Sequence, residues 1–372
     1  MKERDEFYEI LKDPGSYGRK MKEQGRKIVG YFCSYTPEEI IYAAGAHPFR
    51  IFASGENIHF ADAHFQSYCC SLVRGALEGA LAGNLDFLVG AVFPHTCDSI
   101  QRLSDIWRMN VKGPFHADIV LPVKLNTESA KAYMMDVLKK FRDELASHLR
   151  VEITDDKLKN AIETFNTIRA SLKRLYEMKA EDPGVISGSD LYVIVKASTM
   201  MDRDHLTGVL PAVIEELEKK KGNANLSAGK RIVLAGGVCN HPDIYRIIEE
   251  AGGVVVWDDF CTGSRYFEEL VRDNADPIAA IAGRYIERPV CPAKHAGIFT
   301  RGENLLKIVK EKDARGVVFF FLKFCDPHAF DYPYMKEFLD REGIPSMMFE
   351  VEDQLPSEGQ LRTRFETFVD ML

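Results

Sequence analysis

Apolar and polar positions divide this chain into two stretches of one kind separated by a stretch of another. From Lys27 the pattern reads strand, turn, helix, strand: KIVGYFC, SYTPEE, IIYAAGA, HPFRIFA. Short apolar runs bounded by turn residues mark buried strands. The polar turn is a helix start, with Thr36 at the N-cap, Pro37 at the first helical position and acids in the first turn. Gly45 is placed to end that helix. Residues 67–84 predict another helix, and 87–93 a buried parallel strand that runs into PHTCD.

Between about 127 and 221 apolar residues recur at helical intervals, as in AYMMDVLKKFRDELASHL and DKLKNAIETFNTIRASLKRLYEM, with EDPGVISGSD as an interrupting turn. From Arg231 the first pattern returns: RIVLAGGVC, NHPD, IYRIIEEAGG, VVVWDDFC. The correspondence continues further on, LDFLVGAVFPHTCD matching RGVVFFFLKFCDP. Each is a buried strand followed by a basic residue, one spacer and Cys-Asp. A long-period repeat of this kind marks duplicated structural units. The expected fold class is therefore α/β: two Rossmann-like lobes with parallel sheets, joined by a mainly helical connector. The expected domains are an N-terminal lobe at 1–126, the connector at 127–226 and a C-terminal lobe at 227–372.

A chain of 372 residues exceeds the usual limit of one hydrophobic core, which fits two lobes. The charged, h-region-free start predicts no export signal and a cytoplasmic protein, and no apolar run reaches the length of a membrane span. The net charge of −8 argues against a nucleic-acid partner. The basic pairs 139–140 and 219–221 read as solvated helix faces. No Gly-x-Gly-x-x-Gly follows either first strand and there is no P-loop, so a bound nucleotide is not called for.

The eight cysteines have no Cys-x-x-Cys among them. In a reducing compartment they are not a disulfide framework; each is either a small buried hydrophobe or a metal ligand. In parallel sheets ligands collect beyond the carboxyl ends of the strands, where Cys33, Cys97, Cys239 and Cys325 would lie. Cys97 and Cys325 are the leading ligand candidates because they hold equivalent repeat positions before Asp. Cys70 opens a predicted helix whose dipole favours a thiolate. Cys69 points elsewhere and reads as filler, Cys33 and Cys239 as structural. Cys261 and Cys291, in polar loops, either bind a second metal unit or line the cleft. His95 and His328 flank the two Cys-Asp elements, as hydrogen-bond donors to a cluster, proton carriers, or plain loop histidines. Ser34, Tyr35 and Thr36 face a possible ligand at a helix start. Lys294, His295 and Arg265 add positive charge suited to an anionic cofactor.

The segments YFCSYTPEEIIYAAGAHPFRI, YCCSLVRG, FPHTCDSIQR, DDFCTGSRYF, RPVCPAKH and FLKFCDPHAFDYP resemble, in order, the 2-hydroxyacyl-CoA dehydratase and benzoyl-CoA reductase family, in its smaller, beta-type subunits. The resemblance runs from about residue 25 to the C-terminus. It implies a [4Fe-4S] cluster held by Cys70, Cys97 and Cys325, pairing with a homologous alpha-type subunit, and single electrons received from an ATP-dependent iron–sulfur activator protein. The implied reaction is radical removal of water from an (R)-2-hydroxyacyl-CoA to give an enoyl-CoA. In the reductase branch, electrons enter an aromatic thioester ring instead. A homodimeric branch carries a double-cubane [8Fe-9S] cluster on six cysteines, which would map here to Cys69, Cys70, Cys97, Cys261, Cys291 and Cys325. A non-catalytic electron-relay subunit and a zinc protein with mixed Cys and His ligands are the readings of another class. Ser34, His95 and His328 are the candidates for catalytic groups.

Overall fold

The computed structural model describes residues 2–53, 58–113, 115–220, 224–289, 291–352 and 355–372; Lys221 of the basic run and Val290 of RPVCPAKH lie outside them. Two parallel four-stranded sheets form the frame. In the first, β1 (Lys27–Tyr31), β2 (Ala46–Arg50), β3 (Gly90–Pro94) and β4 (Phe115–Ile119) stand in the order β2-β1-β3-β4. In the second, β5 (Lys230–Gly236), β6 (Gly253–Asp259), β7 (Gly316–Leu322) and β8 (Ser346–Val351) repeat it as β6-β5-β7-β8. The internal repeat of the sequence is thus a repeat of topology. β2, β3, β6 and β7 are buried along their whole length, as strands covered on both faces must be.

Several local expectations shift. The helix after β1 is Glu38–Ala43 with Pro37, not Thr36, at the cap; the Thr36 hydroxyl is buried without a hydrogen-bond partner among the described residues, while its carbonyl accepts from Glu38 N and the Tyr285 hydroxyl. The helix read at 67–84 is Ser71–Leu81, because 67–69 form a turn that brings Cys70 to the N-cap. The strand read at 87–93 begins at Gly90, residues 82–87 being a turn. β4, β8 and two N-terminal helices, Lys2–Lys12 and Pro14–Glu23, complete the frame, the second helix started by Asp13 accepting from Ser16 N at 2.8 Å and by Pro14.

The long central helices bind the two sheets together. Glu128–Leu149 packs on β4, and Asp155–Glu181 lies against Glu38–Ala43, Arg203–Glu218 and β6. Buried contacts fix that second helix to both halves: Arg169 pairs with Glu39, and the Tyr176 hydroxyl donates to Asp258. One apolar core consequently runs from Phe32 and Phe93 through Leu172 and Leu175 to Val233 and Phe319. A second, on the other face of the first sheet, takes in the helix Pro277–Glu287 from the second half. Just beyond that helix the chain crosses over: His295 N donates to the Val123 carbonyl at 2.7 Å, and Leu125 N to the His295 carbonyl at 2.9 Å. This short parallel pairing straps the second half to the first. No helix among the described residues is long and apolar enough to cross a membrane.

Candidate functional site

In each sheet the chain leaves the two central strands in opposite directions, which opens a crevice between β1 and β3 and another between β5 and β7. Cys33 and Cys97 follow β1 and β3, and Cys239 and Cys325 follow β5 and β7. Cys325 from the second half comes within electrostatic reach of Cys70 and Cys97 from the first, its thiol being raised first by burial and then by these two. The Cys97 thiol is likewise pushed up to about 12, by burial first and also by Cys70, Asp98 and Cys33.

Three cysteines share one local geometry. Cys70, Cys97 and Cys325 are the N-cap residues of the helices Ser71–Leu81, Asp98–Asn110 and Asp326–Arg341. None of the three caps its helix with a full side-chain hydrogen bond. The Ile100 and His328 backbone N–H groups nonetheless draw the Cys97 and Cys325 thiols back down. Three positive helix ends therefore meet three thiols, an arrangement that stabilises thiolates and other negative charge between them. As bare thiols they are poorly placed, Cys70 raising Cys97 and both of these raising Cys325; bound to a cationic centre they would be complementary. Among the described residues no three His, Cys, Asp or Glu side chains sit closely enough for a single metal ion. Each cysteine of a cubane takes a different iron, so its sulfurs stand further apart than the ligands of one ion.

The other cysteines divide. Cys261 and Cys291 are buried and paired: the Cys291 thiol donates to the Cys261 sulfur, which with Arg265 and His328 holds Cys261 well below the usual thiol range, while the same pairing and burial push Cys291 well above it. Arg265 Nη2 is 3.3 Å from the Cys261 sulfur. Cys261 also adds to the field at Cys325. Cys33 is half-buried and within electrostatic reach of Cys97, Cys291 and Lys294. Cys69 turns into the core, its thiol toward Gln66 Oε1 at 3.9 Å, and Cys239 is buried, its carbonyl accepting from the Tyr192 hydroxyl. All eight cysteines are free thiols.

The candidate acid–base residues sit in different settings. His328 is buried on the first turn of its helix, where burial first, and then the Arg265 and Arg301 charges, disfavour its imidazolium against the opposing pull of Cys261. His95 bonds Asp118 at 2.8 Å, and Asp118 in turn accepts from Ser104, which also meets His116. Ser34 is tied down: Arg288 donates to its carbonyl at 3.1 Å and to its hydroxyl at 3.4 Å, and the same guanidinium lies 3.9 Å over the Tyr35 ring. Arg265 and Arg301 share Asp259, each 2.8 Å from one of its oxygens, and Arg301 also meets Asp331. Sequence reasoning found Arg265 but missed Arg288, although it opens the segment RPVCPAKH, and Arg301, which has no motif to mark it. A cavity of about 450 Å³ opens on Cys97, Lys294 and Arg301 and is bordered by both acids that follow the repeat cysteines, Asp98 and Asp326.

Comparison with known proteins places these features in a family. Residues 33–372 match the model of the 2-hydroxyglutaryl-CoA dehydratase D-component, and the chain belongs to that family. It is 28% identical to the (R)-phenyllactyl-CoA dehydratase beta subunit of Clostridium sporogenes, over 99% of this chain and 98% of the relative. It is 27% identical to the (R)-2-hydroxyglutaryl-CoA dehydratase beta subunit of Acidaminococcus fermentans, over 99% and 98%. A benzoyl-CoA reductase subunit of Thauera aromatica is 26% identical, over 98% and 96%. The chain is thus an enzyme subunit of the dehydratase and benzoyl-CoA reductase class, as its motifs led one to expect.

Proposed function

We propose that this chain is the iron–sulfur subunit of a 2-hydroxyacyl-CoA dehydratase, with Cys70, Cys97 and Cys325 as ligands of one [4Fe-4S] cluster. The observation that carries the reading is the convergence of those three thiols, each at a helix N-terminus, from both halves of the repeat. A cluster of this type supplies single electrons at low potential. The chain's own residues do the rest. The three helix ends and the buried Arg265, Arg288 and Arg301 offset the negative charge of a thiolate-bound centre. The cavity on Cys97 gives a substrate access on one side, with the Lys294 side chain in its wall. His328, beside Cys261 and with its imidazolium disfavoured by burial, is placed to take up a proton, becoming imidazolium, and to hand it on. A homologous second subunit and an ATP-dependent activator are part of this proposal, as is the three-part domain division at 126 and 226.

The second reading, a double-cubane reductase, is favoured by the Cys261–Cys291 pair lying close to Cys325. The inward turn of Cys69 speaks for the single cubane.

Iron and sulfide analysis of anaerobically purified protein tests both: about four irons per chain fit the first reading and about eight the second, while fewer than about three overturn the cluster. Cys97→Ala and Cys325→Ala are expected to lose most of the iron and the visible absorption. Cys33→Ala is expected to keep them; full absorption in the first two variants would refute the ligand assignment.

A further inference from the structure

A second cavity, of about 530 Å³, lies where β2 ends, between the two N-terminal helices, the helix Ser71–Leu81 and the helix Gly188–Ser198. No cysteine is among the described residues that line it. Its walls are mixed: Phe49, Phe52 and Phe87 supply apolar, aromatic surface, and the polar part carries the cations Lys12, Arg19, Arg50 and Lys196. The one acid in the described lining, Asp13, is already engaged as a helix cap.

Arg50 is the unusual member. It is 1% exposed, yet no carboxylate pairs with it among the described residues. Its Nη1 donates to the Cys261 carbonyl at 2.7 Å, and the guanidinium stacks 5.2 Å from the Phe52 centroid. Nε and Nη2 are buried without a hydrogen-bond partner among the described residues. Those two groups form one side of the guanidinium fork, the edge that receives both oxygens of a carboxylate or phosphoryl group. The described partners of Lys196 are neutral, the Tyr192 hydroxyl at 3.1 Å and Asn240 Oδ1 at 3.2 Å, with Phe52 4.8 Å from its Nζ. Burial, with Arg50 as a neighbour, brings its ammonium down to about 8. Buried cations without counter-charge are costly, and an unfilled guanidinium edge adds a lost hydrogen bond.

We propose that this cavity is an oxyanion site, distinct from the cysteine cleft, that binds a small organic acid or phosphate ester through the free edge of Arg50 and the ammonium of Lys196, with the ligand's apolar body against Phe52 and Phe87. Through its Nη1, Arg50 also reaches the loop that carries Cys261, so an occupied site steadies the contact between the two halves.

The test is calorimetric titration of the full-length, anaerobically purified protein with benzoate, inorganic phosphate and coenzyme A. Saturable binding of at least one probe at one site per chain is expected; benzoate alone marks a carboxylate ligand, and phosphate or coenzyme A a phosphoryl one. Lys196→Met, which keeps most of the unbranched stem and removes the charge, is expected to weaken that binding about tenfold or more, as loss of a charged hydrogen bond does. Arg50→Gln is expected to do the same, and Lys196→Met decides the matter if the Arg50 variant does not fold. Absence of saturable binding for all three probes overturns the proposal, as does an affinity that Lys196→Met leaves within about twofold. Iron content plays no part in this readout, so the site stands or falls separately from the cluster.

Discussion

His47 shows how much one buried side chain can set the pH response of the fold. It lies on β2, 5% exposed, with Nε2 2.7 Å from the Met200 carbonyl. Burial first, then the Arg203 charge, brings its imidazolium down to about 3. The folded state refuses a proton that the unfolded chain accepts below about pH 6.5. Stability from this group is complete above that value and falls away as pH drops toward 3, with a slope of up to about 1.4 kcal/mol per pH unit. Urea midpoints measured between pH 7 and 5 are expected to decline less steeply in His47→Gln than in the parent protein; parallel slopes would show that His47 titrates normally. At this scale the sequence was only partly legible. Cys97 and Cys325 could be singled out because the repeat gave each a counterpart. Arg50, Arg288 and Arg301 could not, because a buried arginine is written with the same letter as a solvated one and only the tertiary fold shows its surroundings.

The elements themselves rest on close approaches that forbid side chains at particular points. Gly236 ends β5 at the crevice, and a Cβ there would stand 1.8 Å from the Phe320 carbonyl oxygen on β7. Gly90 opens β3 with its missing Cβ 2.4 Å from the Phe115 backbone. Backbone cannot yield as a flexible side chain does, so Gly236→Ala must push β5 and β7 apart, at a cost of roughly 1–3 kcal/mol or more. Thermal unfolding is the measure, and a melting point unchanged in that variant would mean that the strands separate freely. The element pattern was well marked in the sequence wherever strands are buried on both faces, as with GVVFFFL, where continuous apolar residues leave no alternative. It was faint at β4, whose FHADI alternates buried with partly exposed positions, and at β8, whose first three residues are only half-buried. It misled at Thr36, where the sequence of a good cap is present but the chain turns one residue later.

For the whole molecule, the surface around the cysteine cleft is informative. Phe330 is 77% exposed, and Ile298, Phe299 and Tyr334 are exposed beside it, all near the cavity that opens on Cys97. Clustered apolar side chains of this kind mark association surfaces, in keeping with the proposed second subunit. Light scattering on the protein co-expressed with an alpha-type partner is expected to give a mass of more than one chain, and Phe330→Asp to lower it; a monomer throughout would remove the partner from the proposal. The repeat made the two lobes legible in advance, but not the route by which the second reaches back over the first. That route limits how the two halves can diverge. With His295 bridged between Val123 and Leu125, an inserted or deleted residue close to either side of that bridge shifts its register. Changes of loop length are expected to be tolerated elsewhere on the surface and to be rejected in this pair unless matched by a compensating change in the other. The chain is a duplication whose copies have become answerable to each other, residue for residue, along one short seam.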